Sequence, residues 1–270
     1  MGESGAGREG QGSGLPPGGT NEGDSHPLCQ LFSRVARGEL PQPDSVVDVV
    51  GPPPGPVDAV VAFTAHHVIA APVEPSWVHE RLPGGDLSAP MSPQFLSALG
   101  ERLDTLPGSL DVVLCALGEP GEPGLALVEV SPSVRHPRVD RAHRYRRNVR
   151  VYEDRQGRGV VIVGTGLADR MEAAFEVDPG HRGRGLGRML ARACLHLVEP
   201  GEPLFMQTAP GNASSLRAIL AAGFLPVGAE VLFVRHNRPG VWPVADRCLA
   251  DQDGREVPRR AEHARPDPAQ

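Results

Sequence analysis

The sequence contains no lysine, so all 27 of its Lys+Arg residues are arginine. This absence excludes catalysis through a lysine Schiff base, and it excludes a Walker-type phosphate loop, because both need the lysine ammonium group. The abundance of arginine, alanine, glycine and proline is typical of proteins from high-GC bacteria. We therefore expect a bacterial source.

Cysteines and long apolar runs are also scarce. The four cysteines are far apart in the chain: Cys29, Cys115, Cys194 and Cys248. No C-x-x-C pair is present, so neither a disulfide framework nor a metal site is predicted. The most apolar run, residues 58–73, is interrupted by two histidines and is too short to span a membrane, and no charged-then-apolar leader opens the chain. These features predict a cytoplasmic protein with no membrane partner.

Charge is unevenly distributed along the chain. The formal net charge is −6, yet the segment from Arg135 to Arg192 holds 14 arginines against 7 acidic residues, a local charge of +7. The remainder therefore carries −13. A basic segment within an acidic protein favours a local anionic ligand over general affinity for nucleic acid, which would need a basic domain.

Composition also predicts the domain organisation. Residues 1–30 are rich in glycine and residues 250–270 are charged with little to bury, so both ends are expected to be disordered. Residues 41–107 alternate short apolar runs with helix-like segments and form a predicted α+β accessory region. No motif identifies its role, and both a degenerate second copy of the following fold and a lid over an acceptor site remain open. Residues 108–245 form the main predicted domain.

Within that domain, three short strands are followed by a change of period. Residues 145–154, 159–166 and 171–178 predict an antiparallel meander. Apolar residues then recur every three to four positions from Leu186, which predicts an amphipathic helix beginning at the glycines of the preceding loop. A further strand, a helix capped by Asn212 and a last strand complete the pattern.

The loop before that helix has the chemistry of a diphosphate site. It reads Arg-Gly-Arg-Gly-Leu-Gly over residues 182–187. The first turn of a helix leaves backbone N–H groups unpaired, and glycines there let a phosphate approach the backbone. The spacing G-x-G-x-G differs from the dinucleotide fingerprint G-x-G-x-x-G, so a Rossmann fold is not favoured.

This loop and a second helix further along the chain resemble the corresponding parts of the GNAT superfamily of acetyl-CoA-dependent N-acetyltransferases. The family signature Q/R-x-x-G-x-G/A matches residues 182–187, and the wider pattern V-x-P-x-x-R-G-x-G matches residues 177–185. A second element, Asn212 opening a helix that ends in Gly223–Phe224, lies 30 residues downstream. The resemblance implies an α/β fold of GNAT type, with a mixed, mostly antiparallel sheet flanked by helices, and it implies that residues 108–245 are an N-acetyltransferase domain.

The resemblance also implies the cofactor and its contacts. Acetyl-CoA would be the co-substrate, its pyrophosphate bound by the glycine loop and its pantetheine arm by main-chain groups of the strand before the loop. One main-chain amide there would face the thioester oxygen. The predicted CoA-binding residues are Phe175, Val177, Arg182, Gly183, Arg184, Gly185, Leu186, Gly187, Arg188, Asn212 and Ser215.

Catalytic groups are predicted from the same resemblance. The candidates for the general base are Glu172 and Glu176, which share one side of their strand, opposite to Phe175 and Val177, unless a bulge turns them. The family's usual acid, a tyrosine four residues before the glycine of Gly–Phe, is Ile219 in this sequence. Protonation of the leaving thiolate must therefore come from another group.

The predicted function is transfer of an acetyl or other acyl group from CoA to an amine, by direct attack in a ternary complex. The acceptor would be a small-molecule or peptide amine. Two alternatives stay open: a non-catalytic CoA-binding regulatory module, which the replacement of the acid by Ile219 permits, and an arginine-rich nucleic-acid-binding protein, which the glycine loop does not favour.

Overall fold

A computed structural model describes residues 25–235 of the protein. Its strands are β1 (Val47–Val50), β2 (Val57–Phe63), β3 (His66–Ala70), β4 (Pro107–Leu117), β5 (Leu127–Val130), β6 (Arg147–Asp154), β7 (Gly159–Thr165), β8 (Met171–Val177), β9 (Pro203–Thr208) and β10 (Leu225–Val234). Its α-helices are α1 (Pro27–Ala36), α2 (Pro75–His79), α3 (Pro93–Arg102), α4 (Pro137–Tyr145), α5 (Leu186–Ala193) and α6 (Ala213–Ala221).

All ten strands belong to a single sheet, in the order β1-β3-β2-β10-β4-β9-β8-β7-β6-β5. Neighbouring strands are antiparallel except for the pairs β1–β3 and β8–β9, which are parallel. The strands β6, β7 and β8 form the predicted meander. The prediction of a mixed, mostly antiparallel sheet flanked by helices is confirmed.

The predicted accessory region shares this sheet with the main domain. Strand β2 pairs along six positions with β10, at the other end of the described chain. Strand β4 lies between β9 and β10, although its residues precede both by about 90 or more positions in the sequence. The boundary between residues 41–107 and 108–245 stays a prediction, and the strands on both sides of it lie in the same sheet.

The prediction of disorder for residues 1–30 is wrong at its end. Residues 27–30 form the first turn of α1, whose buried face consists of Leu28, Leu31, Phe32 and Val35. Those apolar residues follow helical spacing directly after the glycine-rich stretch, so composition alone obscures where the helix begins. Residues 1–24 and 250–270 of the predicted terminal segments lie outside the described residues.

Helices cover both faces of the sheet. Helices α5 and α6 pack on one face, over β7, β8, β9 and β4, around buried residues such as Leu190, Met206 and Phe224. On the same face, α2 and α3 cover the strands β2, β3 and β10. Helices α1 and α4 cover the opposite face. The site described below lies where β8 and β9 meet between these layers.

An aromatic contact anchors α1 to the sheet beside that site. Phe205 of β9 meets Phe32 of α1 edge-on, with ring centroids 5.3 Å apart, and the Arg170 guanidinium lies over both rings. Phe205 is almost fully buried. The N-terminal helix is therefore packed directly against a central strand.

Replacing this ring should destabilise the whole fold. We expect Phe205→Ala to lower the free energy of unfolding by about 3–5 kcal/mol, because it leaves a cavity and removes the ring contact. Urea unfolding followed by circular dichroism measures the change. Leu106→Ala is the control: its side chain is 77% exposed, and a change below about 0.5 kcal/mol is expected. Equal effects at both positions would contradict the assigned packing.

Candidate functional site

Strands β8 and β9 pair at only three positions and then separate. The parallel register joins Met171, Glu172 and Ala173 to Leu204, Phe205 and Met206. Beyond that point residues 174–177 pair with β7 alone and residues 207–208 pair with β4 alone. We call the resulting gap the fork. Its flanking backbone groups are free to pair with an extended ligand, as a sheet edge pairs with a peptide.

The glycine loop joins β8 to α5 at the open side of the fork. Gly183 and Gly185 have φ values of +74° and +82°, a region that other residues adopt only with strain. A Cβ at either position would meet no protein atom within 4 Å, so both face open space. Gly185 precedes α5 as its cap and makes no side-chain capping bond, which leaves N–H groups of the first helical turn available.

The third glycine of the motif has a packing role. A Cβ at Gly187 would lie 3.4 Å from the Phe175 ring, 3.5 Å from Cβ of Ala218 and 3.7 Å from Val177. A Cβ at these distances would make ordinary van der Waals contacts, so Gly187 lies where α5 packs against β8 and α6. The side chains of Phe175 and Val177 point to the α5 side, opposite to Glu172 and Glu176, as their parity in the strand predicted.

A second helix begins at the same place. The Asn212 side chain accepts a hydrogen bond from the Ser215 N–H at 3.1 Å and so caps α6, as predicted. The helix is followed by Gly223 at φ +101° and the buried Phe224. The positive ends of two helix dipoles thus converge on one region.

A cleft of about 690 Å³ occupies this region. Ten of the eleven predicted CoA-binding residues line it: Phe175, Val177, Arg182, Gly183, Gly185, Leu186, Gly187, Arg188, Asn212 and Ser215. Arg184 is not among the lining residues and its side chain is exposed. The structure therefore brings the predicted set together, while its role in binding stays a prediction.

Several lining residues were missed by sequence analysis. They are Arg138, His181, Ser214, Arg217, Ala218 and Ala221. Four of them lie on one face of α6, and helical periodicity counted from Ser214 could have identified that face. Arg138 lies on α4, almost 40 positions before the strand it contacts, and no local signal distinguishes it from the other arginines of its segment.

Positive charge dominates the cleft. Arg138, Arg182, Arg188 and Arg217 line it, against one carboxylate, Glu176. The Arg138 Nε donates to Glu176 at 2.9 Å, and Arg182 donates to the Val177 carbonyl at 3.1 Å. Within residues 25–235, Arg188 and Arg217 have no ion-pair partner. Such an arrangement favours a ligand with several negative charges.

The two candidate bases lie in different surroundings. Both side chains point to the α4 face of the sheet, as their shared parity predicted. Glu176 is half-buried at the cleft. Glu172 is fully buried deeper in the sheet, where Arg146 and Arg170 each donate to it at 2.9 Å.

The surroundings of Glu172 determine the pKa of its carboxyl group. Burial alone would raise the pKa of this carboxyl, but the charges of Arg170 and Arg146 outweigh that effect and lower the pKa below its ordinary value of 4.5. A carboxylate that holds its proton so weakly and is enclosed by two guanidinium groups is a poor proton acceptor. The geometry therefore favours Glu176 over Glu172 as a base.

The position of the family's usual acid is part of the core. Ile219 lies on the buried face of α6, where it is 2% exposed, and it does not line the cleft. Tyr152 is buried in the same core, and Tyr145 packs beside α1. Neither tyrosine lines this cleft.

The described part of the chain shows neither a metal site nor a membrane-spanning helix. Residues 25–235 contain no cluster of three or more His, Cys, Asp or Glu side chains that could hold a metal ion. Over the same range, no helix has the length and apolar character needed to cross a membrane.

Comparison with protein families supports the interpretation of this region. Residues 141–224 match the family model described as Acetyltransferase (GNAT) family. This segment belongs to the GNAT family of acetyltransferases. It contains the fork, the glycine loop and the two helices that begin at the cleft, so these features are the parts of a GNAT domain.

The chain also has a low similarity to solved structures. A GCN5-related N-acetyltransferase from Kribbella flavida is 17% identical, with 54% of this chain and 65% of that one aligned at a TM-score of 0.34. A GCN5-related N-acetyltransferase from Sphaerobacter thermophilus is 14% identical over 56% and 58% of the two chains, also at 0.34. The chain spans less than two thirds of either structure. Likeness at this level is too remote to indicate activity. No curated protein sequence matches the chain.

The buried carboxylate beside the site gives a pH-dependent prediction. Glu172→Gln should lower the free energy of unfolding at neutral pH by about 3–5 kcal/mol, because it removes the counter-charge of two buried guanidinium groups. Since the pKa of Glu172 is lowered in the folded state, its stabilisation is present above the ordinary value of 4.5 and is lost as the pH falls through the lowered pKa. Urea titrations from pH 7 downward measure this.

The difference between wild type and Glu172→Gln should therefore shrink below pH 4.5. Glu101→Gln, at an exposed position of α3, serves as the control and should change stability little at any pH. A constant difference across the whole pH range would refute the lowered pKa.

Proposed function

We propose that the GNAT domain transfers an acetyl group from acetyl-CoA to an amine. The observation that carries this proposal is the junction of the fork with the glycine loop: unpaired N–H groups and arginines lie at one end of a gap between two strands. A ligand with a diphosphate followed by an extended amide chain matches both parts. Coenzyme A has that chemistry.

Each part of the cleft would bind a different part of the coenzyme. The N–H groups of the loop and of the first turn of α5 would accept the pyrophosphate, with Arg182 and Arg188 adding positive charge. Main-chain groups of Phe175 and Val177 would pair with the pantetheine amides. The open space at Gly183 and Gly185 supports this fit, because a side chain there would fill the path of the phosphates.

The reaction needs a neutral amine, and a free alkyl amine has a pKa of about 10. Glu176 would take the proton, directly or through water, as the amine nitrogen attacks the acyl carbon. A C–N bond forms, the C–S bond breaks, and a backbone N–H at the fork would stabilise the charge that develops on the carbonyl oxygen. The thiolate of CoA then receives a proton from solvent, since Ile219 offers none.

The placement of the diphosphate can be tested at Gly185. We expect Gly185→Glu to weaken CoA binding by at least about 100-fold, or about 2.7 kcal/mol, because it places bulk and negative charge against the phosphates. Isothermal titration calorimetry measures the dissociation constant. Gly201→Glu is the matched control: Gly201 has a nearly equal φ of +83° and equally open surroundings, and it lies before β9 at the end away from the fork.

If the control loses affinity as well, backbone strain explains the result and the placement has no support. If Gly185→Glu binds CoA as tightly as wild type, the glycine loop is not the phosphate site.

The role of Glu176 can be tested separately. Glu176→Gln should lower kcat by about 10²–10⁴-fold while acetyl-CoA binding is kept, because it removes a proton acceptor and adds no negative charge. The assay detects free thiol with a panel of small amines, peptide N-termini, lysine side chains and aminoglycosides. Glu153→Gln, on β6, is the control carboxylate change. Unchanged turnover in Glu176→Gln would exclude this carboxylate as the base.

A non-catalytic CoA-binding module is the second candidate function. The burial of Ile219 at the position of the family's usual acid favours it. The acceptor panel separates the two, because a binding module would take up CoA without releasing thiol in the presence of any amine.

The structure gives little support to nucleic-acid binding through the arginine-rich segment. Arg138, Arg146 and Arg147 are each paired with a carboxylate, and Arg150 donates to the Leu197 carbonyl. These groups are already engaged within the fold. An oligonucleotide arm in the same binding experiments, at stated salt concentration, tests the alternative.

A further inference from the structure

Arg146 connects the two strands at the position where they separate. Its Nε donates to Oε2 of Glu172 on β8 at 2.9 Å, and its Nη2 donates to Oε1 of Gln207 on β9 at 3.3 Å. Glu172 comes directly before the last paired position of β8, Ala173, and Gln207 comes directly after its partner on β9, Met206. One guanidinium group therefore spans the base of the fork.

The surrounding backbone is shaped to bring Arg146 to this position. Gly164 of β7 is paired with Glu172, and a Cβ there would lie 2.9 Å from the Arg147 carbonyl oxygen and 3.3 Å from Cβ of Arg146. A Cβ at Gly166 would overlap the Glu172 carboxyl group. Glycine at both positions lets the end of α4 approach the sheet and leaves room for the carboxylate.

The β8 end of this bridge is rigidly held. The second oxygen of Glu172 accepts from Arg170 Nε at 2.9 Å and from the Leu167 N–H at 3.3 Å. Arg170 in turn donates to Glu230 on β10 at 2.7 Å. Because a buried charge is tolerated only with such partners, the carboxylate has little freedom to move.

The β9 end is costly in terms of stability. A guanidinium group can only donate, so it must face Oε1 of Gln207, and the amide nitrogen is directed elsewhere. That nitrogen is enclosed and has no hydrogen-bond partner within residues 25–235. An unsatisfied donor of this kind costs about 1–3 kcal/mol. Stability therefore does not account for the presence of glutamine at this position.

We propose that Arg146 is a positioning residue that fixes the width of the fork for the extended arm of CoA. The inference rests on the proposed function, because it assigns the arm to the fork. A planar guanidinium held at both ends sets the spacing of the two strands before the ligand arrives, so the arm binds without the cost of ordering them.

Two ligands distinguish binding at the fork from binding at the phosphate site. CoA carries the arm, whereas 3′-phospho-ADP carries only the nucleotide and the diphosphate. Calorimetry gives both dissociation constants. The Kd for 3′-phospho-ADP divided by the Kd for CoA measures what the arm contributes to binding, and we call this quotient the ratio. We expect Arg146→Met and Gln207→Met each to reduce this ratio by about tenfold, because each breaks one end of the bridge. The affinity for 3′-phospho-ADP should stay within about twofold of wild type.

Arg146→Met keeps Arg170 as the counter-charge of Glu172, and Gln207→Met alters no charge, so both are expected to fold. Gln207→Glu keeps an acceptor for Arg146 and should retain the wild-type ratio. Arg155→Met, at an exposed arginine of the β6–β7 turn, is the surface control.

A wild-type ratio in both bridge variants would overturn the inference. So would a parallel loss of affinity for both ligands, since this would reveal only a structural role for the bridge. If the wild-type chain binds 3′-phospho-ADP and CoA equally, the arm does not use the fork and the inference is again refuted. If wild type binds neither ligand, the proposed function itself fails.

Discussion

The candidate site depends on the fact that β8 and β9 stop pairing after only three positions. A strand that loses its neighbour within a sheet leaves backbone donors and acceptors unpaired, and these must find another partner. Here they face a cleft that also holds the N-termini of two helices. These N-termini present further unpaired N–H groups and the positive ends of the helix dipoles. The separation of two strands thus creates a place for an extended polar chain next to a place for its phosphates.

The opposite face of the sheet supplies what keeps this separation in place. Two arginines, Arg146 and Arg170, and two glutamates, Glu172 and Glu230, are buried together there. The arginines lower the pKa of Glu172, whereas burial raises the pKa of Glu230 because Arg170 offsets it only in part. A cluster of this kind contributes little net stability compared with an apolar core, and its value lies in fixing where β8, β9 and the end of α4 meet.

The glycine loop and the capped helix α6 could be predicted from sequence because each is a local signal. Residues 182–187 specify their own turn through glycine, and Asn212 caps a helix whose first turn begins directly after it. Arg138 at the cleft and Arg146 at the fork could not be predicted, since each acts on a strand at least 26 positions away in the chain. The spacing of residues also could not show that β4 would lie between β9 and β10, because pairing between distant strands leaves no periodic signal.

The predicted accessory region and the N-terminal helix also contact the sheet that forms the site. Strand β2 extends the sheet from β10, and α1 covers β9 through the contact of Phe32 with Phe205. Arg170 lies over both rings and also holds Glu172, the fixed end of the bridge at the fork. A continuous series of contacts therefore leads from the N-terminal helix to the base of the fork. The geometry of the site depends on residues that precede the GNAT match by more than 100 positions, so we expect that residues 141–224 alone would not reproduce it.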